Sequence, residues 1–176
     1  MIMCLDIETT FKKDDAYSYN GNNQLVSVGI KTQTGKEDYL WFYHKEREPT
    51  KNGKDILQNL LHHSTLLIGH NIKFDLSWLY NCGFTYNNRV FDTMVVEYIL
   101  SRGIHRDLSL DGSCKRRKVK LKKKYSTESA SRQSVQILMF AFLVWINGWE
   151  LLCSRPPASE RNSIMRVLTQ PINHVL

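Results

Sequence analysis

The chain has no pair of neighbouring cysteines. Its four, Cys4, Cys82, Cys114 and Cys153, stand far apart and form no C-x-x-C step. That argues against a disulfide framework or a zinc site and leaves reduced thiols as the expectation. The N-terminus lacks a basic stretch ahead of an apolar run, so no signal peptide is expected. The longest uninterrupted apolar run, 137–146, has ten residues. A membrane-spanning helix needs ~20, so a buried helix or a sticky exposed segment is expected there rather than a span. Acid is missing from the last third: no Asp follows Asp111, and Glu128, Glu150 and Glu160 are the acidic residues left.

What is present reads as one ordinary globular domain with a tail. Of 176 residues, 42% are hydrophobic and 23% charged, too apolar for a disordered chain and enough to build a sizeable core. The net charge of +7 is unevenly spread. Residues 1–111 hold 12 Lys and Arg against 14 Asp and Glu; residues 112–176 hold 12 against 3. A positive field confined to the last third suits a polyanionic partner.

The apolar pattern gives the order of elements. "MIMCLDIE" reads as a buried strand, "QLVSVGIKT" as a second and "DYLWFYH" as a third, joined by turns into an antiparallel meander; Gly35 suits the hairpin. "GKDILQNLLHHS" puts Ile56, Leu57, Leu60 and Leu61 on one helical face. "TLLIGHN" is a short strand, "IKFDLSWLYNCG" a helix stopped by Gly83, "RVFD" a strand and "TMVVEYILSRG" a helix. Strands first, then alternating helix and strand, predict a mixed α/β sheet with helices on its faces.

Asp6 and Glu8 stand at i and i+2 on the first strand and therefore share a face. Two carboxylates so placed repel unless a cation lies between them. Asp75, in the first turn of the helix after a buried strand, can join them at the carboxyl ends of the strands. Three hard oxygen donors select Mg²⁺ or Mn²⁺ over zinc. Two such ions ~3.5–4 Å apart would clamp the attacking and leaving oxygens of a phosphodiester. The plainer readings are a solvated strand end for the pair and a dipole-favouring acid for Asp75. Asp92, just before Thr93, reads as a helix N-cap that stands behind the metal ligands rather than among them. His62, His63 and His70 read as hydrogen-bonded rather than metal-bound. Phe11 is a candidate for stacking on a base.

"LDIETT", "GHNIKFDLSWL" and "FDTMVVEYIL", in that order, resemble the DEDD superfamily of 3′–5′ exonucleases. The likeness is nearest to the proofreading domain of family-A DNA polymerases, the bacterial polymerase I and phage replicase type. Asp6 and Glu8 match its first motif, with Thr9 where that family contacts the terminal nucleotide. Asn71, Phe74 and Asp75 match its second. The resemblance covers about residues 1–125 and implies an RNase H-like fold. It also implies two Mg²⁺ held by Asp6, Glu8 and Asp75, with Thr9, Asn71 and Phe74 positioning the 3′ end of single-stranded DNA. The product would be a nucleoside monophosphate.

The chain departs from that family in one respect. The third motif, which supplies a fourth carboxylate from an Asp on a late helix, is not found. The expected layout is an exonuclease-like domain over 1–125 and a diverged C-terminal tail over 126–176, so that the C-terminal part of the fold is incomplete. The function implied is metal-dependent 3′–5′ exonuclease action. The alternatives are a nucleic-acid-binding remnant without turnover and an RNase D-like RNA exonuclease. The basic run at 115–124 is either a phosphate grip, with Lys122, Lys123 and Lys124 on the backbone, or a solvated face. A polymerase module is a further expected partner, and the cytoplasm of a bacterial or phage-infected cell the expected location.

Overall fold

The computed structural model describes residues 1–10, 23–104 and 107–118. Nine elements occur among them: β1 (Ile2–Thr9), β2 (Leu25–Thr32), β3 (Glu37–Trp41), α1 (Gly53–His63), β4 (Leu66–Gly69), α2 (Ile72–Asn81), β5 (Arg89–Asp92), α3 (Thr93–Leu100) and α4 (Leu110–Arg116). The strands form one sheet in the order β3-β2-β1-β4-β5. β1, β2 and β3 pair antiparallel, while β4 and β5 join β1 in parallel. The meander and the mixed sheet are as the sequence pattern predicts, and the architecture is the RNase H-like one that the resemblance implies.

Alternation along β1 sorts its side chains between two cores. Met3, Leu5 and Ile7 enter the larger one with Leu57 and Leu61 of α1 and Leu76 and Leu79 of α2. Cys4 points to the other face, where it packs with Ile68, Phe91 and Val96 under α3. Asp6 and Glu8 continue the Cys4 face past the point where apolar packing ends, and both are half-buried. Ile56 departs from expectation: it is 39% exposed, so the buried stripe of α1 is narrower than its sequence pattern.

Two local features set the site. The β1–β2 register passes from Glu8–Ser27 to Thr9–Leu25, a β-bulge beside the two carboxylates. At Gly69, the last residue of β4, an added Cβ would lie 2.9 Å from Cγ1 of Ile72. The absence of a side chain there lets α2 begin directly against the strand end.

α4 was not among the expected elements. Ser109 caps it, accepting the N–H of Gly112 at 3.1 Å, and Asp107 accepts both the N–H and the hydroxyl of Ser109. Its far end is tied to α3. Glu97, 4% exposed, accepts from Arg116 Nε at 3.0 Å and from Arg117 Nε and Nη2 at 3.0 and 2.9 Å. Two of the first cations of the basic run therefore neutralise a buried carboxylate, whereas Lys115 stays exposed. Lys122, Lys123, Lys124, Phe11 and the apolar run at 137–146 lie outside the described residues. Among the described residues, no helix is long and apolar enough to cross a membrane.

Candidate active site

Parallel pairing of β1 with β4 ends at Cys4–Ile68, but β1 runs on to Thr9. Past that point its backbone has no neighbouring strand on that side among the described residues, and a buried donor there needs another acceptor. Asp75 supplies it: its Oδ1 accepts the N–H of Ile7 at 3.1 Å. Ile7 is the residue between Asp6 and Glu8. The carboxylate from α2 therefore lies against the strand segment that carries the other two.

Asp75 is 4% exposed. Burial pushes its carboxyl well above the ordinary 3.8, the charge of Asp6 pushes it further, and the Ile7 N–H draws it partly back. An ionised Asp75 in this setting is stabilised by an added cation, and every nearby acidic donor is a hard oxygen, so the residues fit Mg²⁺ or Mn²⁺. Among the described residues, no three His, Cys, Asp or Glu side chains already close into a metal-holding group. Asp6 and Asp75 interact, and Glu8 shares the face of Asp6 by strand alternation.

The other expected residues fall around this contact. Thr9 is half-buried, just after the bulge. Asn71 precedes α2 in the left-handed conformation (φ 59°, ψ 43°), and its exposed side chain does not cap its own helix. Phe74 is 36% exposed, its ring 6.4 Å from that of Trp78. Asp92 caps two helices at once. Its Oδ1 accepts the N–H of Met94 in α3 and of Asn71, both at 2.9 Å, and its Oδ2 accepts that of Ile72 at 3.1 Å. Asp92 thereby fixes where α2, and with it Asp75, begins.

Glu97 was not among the residues expected to matter. Its signal was a single acid inside the apolar stretch "TMVVEYIL", on the buried side of the helix, with two adjacent arginines about twenty residues later. The fixed role of His70 was also missed, although its hydrogen-bonded state was expected. Nδ1 lies 2.9 Å from the hydroxyl of Thr93, and Nε2 lies 3.0 Å from the carbonyl of Leu108.

The fold has solved counterparts. Brucella melitensis NrnC, in a structure with bound pGG, superposes with a TM-score of 0.67 at 17% identity, over 95% of this chain and 80% of that one. M. smegmatis Pol1, in complex with DNA primer-template and dNTP, gives 0.58 at 18%, over 91% of this chain and 27% of that one. Exonuclease X, in complex with 5′-overhanging duplex DNA, gives 0.52 at 16%, over 93% and 99%. At these identities the likeness is one of fold. No curated protein sequence matches the chain. A family model of the DNA polymerase A type, described as 3′–5′ exonuclease, matches residues 4–138. With that match over most of its length, the chain belongs to the 3′–5′ exonuclease family, a family of phosphodiester hydrolases.

Proposed function

We propose that this protein removes nucleotides from the 3′ end of single-stranded DNA, with Asp6, Glu8 and Asp75 as the ligands of divalent magnesium or manganese. The observation that carries the reading is the Asp75–Ile7 hydrogen bond, which brings the second acidic motif against the first. The family is metal-dependent, and an NrnC structure of the same fold has bound Mg²⁺. When bound, such a cation supplies Lewis acidity toward the phosphate and acidifies water.

The chain's own residues hold the strand end. Asn71, fixed in a left-handed conformation with its side chain outward, is suited to hydrogen-bond the terminal nucleotide. Phe74, partly exposed beside Asp75, offers a ring face to the terminal base. Thr9 adds a hydroxyl at the end of β1. Removing DNA to bare monophosphates needs no protein nucleophile in this scheme.

A second reading is nucleic-acid binding without turnover. It is favoured by the lack of any Asp after Asp111, which leaves the fourth carboxylate of the third motif without a match in this sequence. Incubation of a 5′-labelled single-stranded oligonucleotide with Mg²⁺ separates the two. Ladders that disappear with EDTA and with Asp6→Ala support the exonuclease; retention of full-length oligonucleotide in a stable complex supports the second reading. An RNA oligonucleotide run in parallel decides between DNA trimming and an RNase D-like activity.

A further inference from the structure

His70 stands between Gly69, which ends β4, and Asn71, which precedes α2. Its ring makes contact with oxygen at both nitrogens. The Leu108 carbonyl can only accept, so Nε2 carries a hydrogen and donates it at 3.0 Å. The Thr93 hydroxyl has one hydrogen. It donates that hydrogen to the Gly69 carbonyl at 3.0 Å, yet its oxygen also lies 2.9 Å from His70 Nδ1.

A hydrogen count divides these contacts into two states. With a neutral ring, Nδ1 is bare and needs the Thr93 hydrogen, so Gly69 loses its donor. With a charged ring, Nδ1 donates to the Thr93 oxygen, and the hydroxyl serves Gly69. All three contacts are made together in the charged state alone.

The surroundings contain acids on two sides. Asp92 and Glu97 favour the charged ring, as does the Leu108 carbonyl; burial opposes it and prevails, holding the imidazole below its ordinary 6.5. Asp107, next to Leu108, is engaged by Ser109, and Glu97 by Arg116 and Arg117. The neutral ring therefore predominates at neutral pH, and the charged ring enters only at lower pH.

Asn71 is sensitive to this exchange. A non-glycine residue in the left-handed region is strained and holds only when its surroundings over-determine it. On one side, Asp92 holds the N–H groups of Asn71 and Ile72. On the other, the Gly69 carbonyl and the His70 ring are held through Thr93.

Resting on the exonuclease reading of the site, we propose that His70 is a positioning residue for the substrate contact made by Asn71. The Thr93 hydroxyl hydrogen passes between the Gly69 carbonyl and the His70 ring as the ring loses or gains a proton. The turn that presents Asn71 tightens when the ring is charged.

The test uses the full chain, Mg²⁺ and a labelled oligothymidine whose last linkage is a phosphorothioate. Affinity by fluorescence anisotropy should strengthen roughly fivefold as pH falls through the His70 midpoint located by NMR, the worth of one net hydrogen bond. His70→Gln, which keeps an amide donor but cannot titrate, should lose that gain, and Asn71→Ala should lose it too. A His70→Gln protein with the wild-type gain overturns the proposal. A second measurement needs no variant: in the free protein, the ring nitrogens of His70 and the backbone amide of Asn71 should titrate by NMR with one midpoint. An Asn71 amide that ignores the His70 titration also overturns it. If the wild-type chain neither binds nor shortens DNA at any pH, the exonuclease reading falls, while the paired NMR titration still decides the positioning role.

Discussion

The backbone N–H of Ile7 donates to the carboxylate of Asp75 at 3.1 Å, a contact between residues 68 positions apart. It ties the acidic end of β1 to the first turn of α2 inside the protein. Asp75 is consequently both a structural acceptor and a candidate ligand, and the two roles can be separated by experiment.

Asp75→Asn keeps an oxygen for Ile7 and removes the charge. Because burial and Asp6 raise the carboxyl of Asp75 in the fold, the native state holds its proton longer than the unfolded chain does. The stability this gives is full below the unfolded value of about 3.9 and is lost as pH rises toward and through the raised native value. Without metal, the Asn variant should therefore match the wild type in acid and melt higher at pH 8, while its Mg²⁺-induced rise in Tm vanishes. Thermal melts at the two pH values, with EDTA and with Mg²⁺, check this. An Asn variant that melts lower at pH 8 in EDTA contradicts it.

Asp92→Ala strips three N–H groups of their acceptor at the starts of α2 and α3. A lost N-cap costs about 1 kcal/mol, and here two helices share one, so a loss of about 2 kcal/mol is expected. Urea unfolding measures it, and a loss within error of zero would show that water replaces the carboxylate.

Glu97→Gln leaves Arg116 and Arg117 beside a neutral amide. Hydrogen bonds to charged groups contribute about 1.5–3 kcal/mol, so a destabilisation of about 2 kcal/mol is expected. Hydrogen exchange should show the largest gain in α4. Uniform exchange across the chain would argue that Glu97 does not anchor that helix.

Replacing Lys122, Lys123 and Lys124 together by Gln should flatten the dependence of log affinity on log salt for single-stranded DNA. Each phosphate contact on a single strand contributes a slope of about 0.7, so the change expected is about 2. An unchanged slope removes these lysines from the DNA contact.

The sheet was legible because its signals are local. Alternation put Asp6 and Glu8 on one face, and the short apolar strand "LLIG" followed by a helical pattern placed Asp75 at a strand end. The cap at Asp92 was readable as a helix start, but its second duty was not. Binding the N–H groups of Asn71 and Ile72 depends on β4 and β5 lying side by side, a fact of register at Gly69–Asp92. α4 was hidden for a different reason. Gly112 and Ser113 are poor helix formers, and the segment is held by Ser109, Asp107 and a buried carboxylate from another helix. Ile56 shows the converse error, an apolar residue counted with the core that remains at the surface.

The length mismatch between β1 and β4 has a consequence for engineering. Lengthen β4 by two ordinary strand residues and main-chain amide groups would take over the edge of β1 that Asp75 now holds. Asp75 would be evicted from it, and the protein would gain regular sheet while losing the contact that joins its two acidic motifs. The meeting of the two acidic motifs depends on one ribbon stopping early.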